Sequence, residues 1–116
     1  MAEVTMAAPA RIAFLGYGEA ARAFLAGWRS EPGFAARVVA YDIKADAADP
    51  AVRAGKLADY AADGVEAAAT AREAVAGASL VVSVVTADQA HAAALSVAGA
   101  LAPGALFLDC NSCAPQ

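Results

Sequence analysis

The stretch RIAFLGYGEAA, residues 11–21, decides the fold. Its first five residues (RIAFL) make an apolar run of the length of a buried strand, and Gly16, Tyr17 and Gly18 follow as a tight turn. A helix is expected from about Glu19 to Arg29, with Ala23, Phe24 and Trp28 sharing one face. Residues 30–34, which hold Pro32 and Gly33, break that helix. Residues 37–41 (RVVAY) then read as a second strand ending at Asp42, which completes one strand-helix-strand unit.

Outward from this unit the same alternation continues. Asp49 before Pro50 is an N-cap and first-turn signal for a short helix toward Asp59, and residues 64–66 are expected to start a weak third strand. Thr70 and Glu73 have the spacing of a capping box that opens a short helix closed by Gly77. Residues 80–85 (LVVSVV) are the strongest strand signal of the chain, and Thr86 with Gln89 repeats the box. The next helix is expected to reach about Leu101. Pro103 and Gly104 turn the chain, and residues 105–108 form a strand that delivers Asp109, Cys110, Asn111 and Ser112 at its C-terminal end. Apolar strands alternating with helices predict an α/β fold, a Rossmann-type doubly wound parallel sheet.

Composition narrows the function classes. A chain of 116 residues suits one compact domain, and 60% hydrophobic against 17% charged residues speaks for a packed core rather than disorder. The longest apolar runs fall far short of the ~20 residues that span a bilayer, so no membrane association is expected. The net charge of −4, with scattered Lys and Arg, argues against a nucleic-acid surface. Residues 1–10 carry an acid and no base ahead of a mild apolar stretch, the wrong order for a secretory signal, and read as a loose leader before a domain over 11–116. Two cysteines, Cys110 and Cys113, are too few and too close to staple a secreted fold, which favours a reducing cytoplasm.

The chemistry starts at residues 16–21, a G-x-G-x-x-A fingerprint between strand and helix. Gly16 permits the turn, Gly18 lets a pyrophosphate approach bare backbone, and Ala21 allows the helix to pack closely on the strand. The helix N-terminus favours an anion without needing a lysine. Gly16, Tyr17, Gly18, Glu19, Ala20 and Ala21 are therefore the candidate cofactor corner, with Glu19 assigned no chemistry beyond complementing the helix dipole. Asp42 stands 24 positions after Gly18, close to the spacing of about 20 at which an acid binds the adenosine ribose. Asp42, Ile43 and Lys44 are the candidate ribose side. The acid favours NAD over NADP, while Lys44 partly offsets its repulsion of a 2′-phosphate and keeps NADP open. Thr86 and Ala87, after the fourth strand, are expected to face the glycine loop across the switch point, although Thr86 is equally well explained as a helix cap.

Three motifs in matching order, IAFLGYGEAA at 12–21, VVSVVTADQA at 81–90 and LDCNSCAP at 108–115, resemble the N-terminal domain of the β-hydroxyacid dehydrogenase and 6-phosphogluconate dehydrogenase superfamily. Within it the chain is most similar to the branch with a phosphogluconate-dehydrogenase-like C-terminal domain. The resemblance covers residues 11–116 and implies hydride transfer between a nicotinamide cofactor and a small hydroxyacid-type substrate. In the family's D-x-S-T-x-x-P frame after the fifth strand, Asn111 takes the Ser position and Ser112 the Thr position, which makes both candidate substrate contacts. The asparagine departs from the simple hydroxyacid enzymes and is similar to the Asn-Ser of the phosphogluconate enzymes. The family's general acid or base is a lysine of a following helical domain, expected beyond Gln116. Its members commonly form homodimers through that domain. Residues 1–116 alone are thus expected to bind cofactor without turning over substrate.

Two other classes share part of this pattern. A methyltransferase-like domain binding S-adenosylmethionine also uses a glycine loop and an acid after the second strand, but its loop usually follows an acid where Phe14 and Leu15 stand here. A non-catalytic NAD-sensing module would carry the same fingerprint. Cys110 and Cys113 form a C-x-x-C, but a redox pair needs a following helix, which Pro115 opposes, and a zinc site needs two further ligands. The single histidine, His91, falls on a helix surface, so no metal is expected.

Overall fold

The computed structural model describes residues 11–110, apart from the side chains of residues 87 and 88. Five parallel strands form one sheet: β1 (Arg11–Leu15), β2 (Arg37–Tyr41), β3 (Glu66–Ala67), β4 (Leu80–Ser83) and β5 (Leu106–Asp109). Their spatial order is β3-β2-β1-β4-β5, with Ile12 opposite Val38 on one side and Leu80 on the other. The first strand lies in the middle, and the chain winds outward from it in both directions. This is the Rossmann-type arrangement expected from the alternation of strands and helices.

Four helices cross between the strands: α1 (Glu19–Arg29), α2 (Pro50–Ala62), α3 (Ala71–Val75) and α4 (Ala87–Val97). Because side chains alternate along a strand, β1 feeds two cores. Ile12 and Phe14 pack with Tyr17, Ala21, Leu25 and Tyr60 under α1 and α2. Ala13 and Leu15 pack on the opposite face with Ala74, Val75, Val81 and Val97 under α3 and α4. A near-continuous apolar run is what a strand buried on both faces requires.

Several local expectations need correction. The buried stripe of α1 is Ala21 and Leu25, joined by partly buried Trp28; Ala23 is exposed and Phe24 half-exposed. Positions 21, 25 and 28 are spaced by four and three, so Ala21 sets the buried face where Phe24 was expected to. Phe24 instead stacks on Trp28, with ring centroids 6.3 Å apart. The helix opened by Asp49 and Pro50 runs to Ala62, beyond Asp59, with the Asp49 carboxylate accepting the Ala51 N–H at 2.9 Å. The third strand is two residues long and starts at Glu66.

The Thr70 box forms: its hydroxyl accepts the Glu73 N–H at 3.0 Å, and the Glu73 carboxylate reaches back to the Ala69 N–H at 2.7 Å. At the second box the Thr86 side chain makes no cap bond; its backbone carbonyl accepts the Gln89 N–H at 2.9 Å. The fourth strand stops at Ser83, two residues short of the apolar run; the Val84 N–H still donates to the Leu15 carbonyl at 2.8 Å, and Val84 and Val85 form a wall of the cleft described below. The helix α4 ends at Val97, short of Leu101. Among the described residues no helix is long and apolar enough to cross a membrane.

Candidate functional site

The site begins where β1 ends. Gly16 has φ +87°, and a Cβ there would stand 2.4 Å from the Val84 carbonyl oxygen and 2.9 Å from Val85 Cγ1. Both the backbone conformation and the close approach to the chain after β4 demand glycine. Its N–H donates to the Tyr41 carbonyl at 2.8 Å, so the corner stays stitched to β2. Gly18 differs: a Cβ there would meet nothing within 4 Å. Its carbonyl accepts the Arg22 N–H at 3.1 Å and starts α1. The first N–H groups of an α-helix have no partner within it, so the space over Gly18 is faced by backbone donors and the positive end of a dipole.

Asp42 is tied to this corner. Its Oδ2 accepts the Tyr17 N–H at 2.7 Å and its Oδ1 accepts the Lys44 N–H at 2.9 Å. The Lys56 ammonium of α2 lies beneath, donating to the Tyr17 carbonyl and standing 3.8 Å from Asp42 Oδ2 and 3.6 Å from Asp59 Oδ2. Lys56 is buried, an uncommon position for a lysine, which is tolerated because its head group finds a carbonyl and two carboxylates. Sequence reasoning gave Lys56 no role.

Tyr17 turns its side chain away from the corner. The ring is fully buried between Phe14 and Tyr60, and its hydroxyl donates to Asp63 Oδ2 at 2.7 Å. Burial, reinforced by Asp63, pushes this phenol well above its ordinary pKa, so it remains neutral. The membership of Tyr17 in the fingerprint is thus a matter of backbone, and its side chain belongs to the core. Arg22 clamps the same Asp63 from Nε at 2.8 Å and reaches Asp59 at 3.3 Å. That guanidinium, more than any other group, holds the Asp63 carboxyl below its ordinary range.

A cleft of about 590 Å³ opens at the C-terminal ends of β1, β2 and β4. Gly16, Gly18, Asp42, Ile43, Lys44 and Thr86 all line it. Ala21 is buried against the sheet, in keeping with a packing role, while Glu19 and Ala20 are exposed in the first turn of α1. Ala87 is the first residue of α4. Asn111, Ser112 and Cys113 lie outside the described residues, as does the leader at 1–10; Cys110 is a free thiol. The cleft also takes in residues to which the sequence gave no binding role, among them Arg72, Gln89 and Ser96. His91 is exposed on α4, and no cluster of metal-ligating side chains occurs among the described residues.

The arrangement suits a dinucleotide. Bare backbone at Gly18 and a helix N-terminus can take a diphosphate, a carboxylate at the end of β2 can take a ribose, and the pocket lies where strand order reverses. A side chain at position 18 would fill the space such a diphosphate needs.

Comparisons with known proteins agree. No curated protein matches the chain. Among solved structures, a conserved hypothetical protein from Sinorhizobium meliloti 1021 is 37% identical over 87% of this chain, with a TM-score of 0.75. A UDP-glucose dehydrogenase from the hyperthermophilic archaeon Pyrobaculum islandicum (19% identity, 99% of this chain, TM-score 0.61) shares the fold. So does a reductive aminase from Aspergillus terreus, solved with NADPH4, cyclohexanone and allyl amine (18% identity, 93% of this chain, TM-score 0.55). The chain spans about a third of the length of these proteins: 32%, 32% and 34% respectively. The family model for the NAD binding domain of 6-phosphogluconate dehydrogenase matches residues 11–116, so the chain belongs to that family of NAD(P)-binding domains.

Proposed function

We propose that this chain is the coenzyme-binding part of an oxidoreductase that moves a hydride between a nicotinamide dinucleotide and a small hydroxyacid-type substrate. One observation carries the reading: the open space over Gly18 at the start of α1 and the Asp42 carboxylate belong to the same cleft. The coenzyme supplies the hydride acceptor or donor when bound. The chain's own residues hold it: the N-terminal amides of α1 bind the diphosphate, Asp42 orients the adenosine ribose, and Val84, Val85 and Thr86 form the opposite wall.

Asn111 and Ser112 are assigned to the substrate through the resemblance of LDCNSCAP to the family frame. The chain has two lysines, Lys44 and Lys56. Lys56 is buried beneath the corner, and Lys44 stands beside Asp42 on the ribose side. The proton step is therefore given to the lysine of the family's helical domain, through which two copies would also pair. Fluorescence titration of the 116-residue chain with NADH should show saturable binding, lost on Gly18→Val. Saturation by S-adenosylmethionine instead would overturn the reading. A dehydrogenase assay on these residues alone should give no turnover above background.

A further inference from the structure

The two edges of the sheet are guarded unequally. At one edge β3 is two residues long, and its Glu66 pairs with Arg37 of β2 at 2.8 Å. A short edge strand that carries a charged side chain resists pairing with another chain. At the other edge β5 presents Leu106, Phe107 and Leu108 in succession, in unbroken register with β4 and with no lysine or proline among them. Leu106 is 68% exposed and Leu108 46%.

Register fixes where these leucines point. Leu106 stands beside Leu80 and Leu108 beside Val82, and neighbours in register share a face, so both leucines lie on the side of the sheet packed by α1 and α2. Phe107 lies on the opposite face, where it is partly buried against the core under α3 and α4. Among the described residues nothing buries β5 on the α1 side. Leu80 also lines an apolar hollow of about 340 Å³ with Ile12, Trp28 and Phe34, so the bare strip extends beyond β5 itself. A parallel sheet ordinarily has both faces covered.

The backbone of β5 is turned outward as well. The Leu106 N–H donates to the Ser79 carbonyl at 3.0 Å and the Cys110 N–H to that of Ser83 at 2.9 Å. Amides alternate in direction along a strand, so the Phe107 N–H and C=O point away from β4. This edge is complementary to itself. With a second β5 antiparallel across a two-fold axis at Phe107, the two Phe107 residues exchange both backbone bonds, Leu106 falls opposite Leu108 on the α1 side, and Asp109 falls opposite Ala105. Apolar side chains meet apolar ones, and no like charges face each other.

We propose that β5 is a self-association edge: two copies of this chain pair antiparallel through Leu106–Asp109, joining their sheets into one and setting their leucine strips side by side. The seam lies apart from the cleft, which β5 does not line, so the pairing is independent of the coenzyme-binding reading.

Sedimentation velocity of the 116-residue chain over a range of concentrations tests it, with Leu106→Lys as the variant and cooperative urea unfolding as the check that the variant is folded. Wild type should reach a discrete dimer, and Leu106→Lys, a charge on the edge, should weaken dimerisation by about tenfold or more. Hydrogen exchange gives a second readout that needs no variant: the Phe107 amide should be protected where the dimer forms and exchange faster on dilution. A chain that stays monomeric throughout, associates beyond the dimer, or dimerises with an unprotected Phe107 amide overturns the proposal. So does a folded Leu106→Lys chain that dimerises as wild type does.

Discussion

The Asp42 carboxylate accepts the backbone N–H of Tyr17, the residue between the two glycines of the corner, at 2.7 Å. A hydrogen bond to an ionised acceptor is roughly twice as strong as a neutral one, and this one spans the gap between β1 and β2. The acid expected to read the ribose is therefore also a strut of the loop that faces the diphosphate. Binding and architecture share one side chain, so the two functions should fail together.

Asp42→Ala should cost about 1–3 kcal/mol, because it leaves the Tyr17 and Lys44 N–H groups without their acceptor. NADH affinity should fall by about tenfold or more in the same variant. Asp42→Asn, which keeps an oxygen for one of the two donors, should lie between Ala and wild type on both axes. Urea unfolding and calorimetry measure the two effects. Full stability with lost binding would remove the strut role.

The two glycines of the corner should separate cleanly. Gly16→Ala forces a Cβ to within 2.4 Å of the Val84 carbonyl oxygen at φ +87°, so a loss of about 3 kcal/mol or more is expected. Gly18→Ala meets no atom within 4 Å and has an ordinary φ of −99°, so stability should change by less than about 1 kcal/mol. Its NADH affinity should nonetheless drop, since the methyl group occupies the diphosphate's space. Equal destabilisation of the two variants would contradict this division of labour.

Asp63 should govern part of the acid limb of stability. The Arg22 guanidinium, and after it the Tyr17 hydroxyl, hold its folded-state pKa below the ordinary value. A depressed carboxylate stabilises the fold at pH values above its unfolded pKa, and that contribution disappears as pH falls through the folded one. Asp63→Asn should therefore be less stable than wild type at neutral pH, and the difference should shrink toward pH 3. Urea midpoints taken from pH 7 to pH 3 would show it; two parallel curves would mean that Asp63 contributes nothing to the limb.

Much of this was legible in the sequence. The run at 11–21 marks a strand, the corner and the first crossover helix; the glycines alone fit any tight strand-to-helix turn, and it is Asp42 at the ribose spacing that makes the corner read as a dinucleotide site. Asp42 was found by its distance from Gly18. What the sequence concealed lies in direction and depth. Tyr17 sits inside the fingerprint, yet its ring packs in the core with Ile12 and Phe14 rather than with Ala13 and Leu15, the face that alternation beyond β1 would give, because the chain turns at Gly16. Arg72 looked like an interior residue of a capping box, and only the pairing of β3 with β2 brings it to the cleft. Val84 and Val85 read as strand because they are β-branched, whereas the strand ends at Ser83 and the two valines line the cleft close to Gly16. Lys56 did leave a trace: it is four residues before Tyr60, on the buried face of α2, with Asp59 one turn further on.

That buried lysine gives the sharpest expectation. Lys56→Met keeps much of the side chain's length and apolar stem but removes the donor to the Tyr17 carbonyl and the positive charge near Asp42 and Asp59. Replacing a whole buried ion pair by apolar groups can be neutral, but removing one member strands the other. Asp42 retains its two backbone donors, which keeps the expected loss to about 2–3 kcal/mol rather than the larger cost of a fully orphaned charge. With the compensating ammonium gone, Asp42 should repel a 2′-phosphate more strongly, so NADPH affinity should fall further than NADH affinity. Urea unfolding tests the first consequence and paired calorimetric titrations the second. An unchanged NADPH-to-NADH ratio in a folded Lys56→Met protein would show that Lys56 supports the corner sterically and does not tune the charge of Asp42.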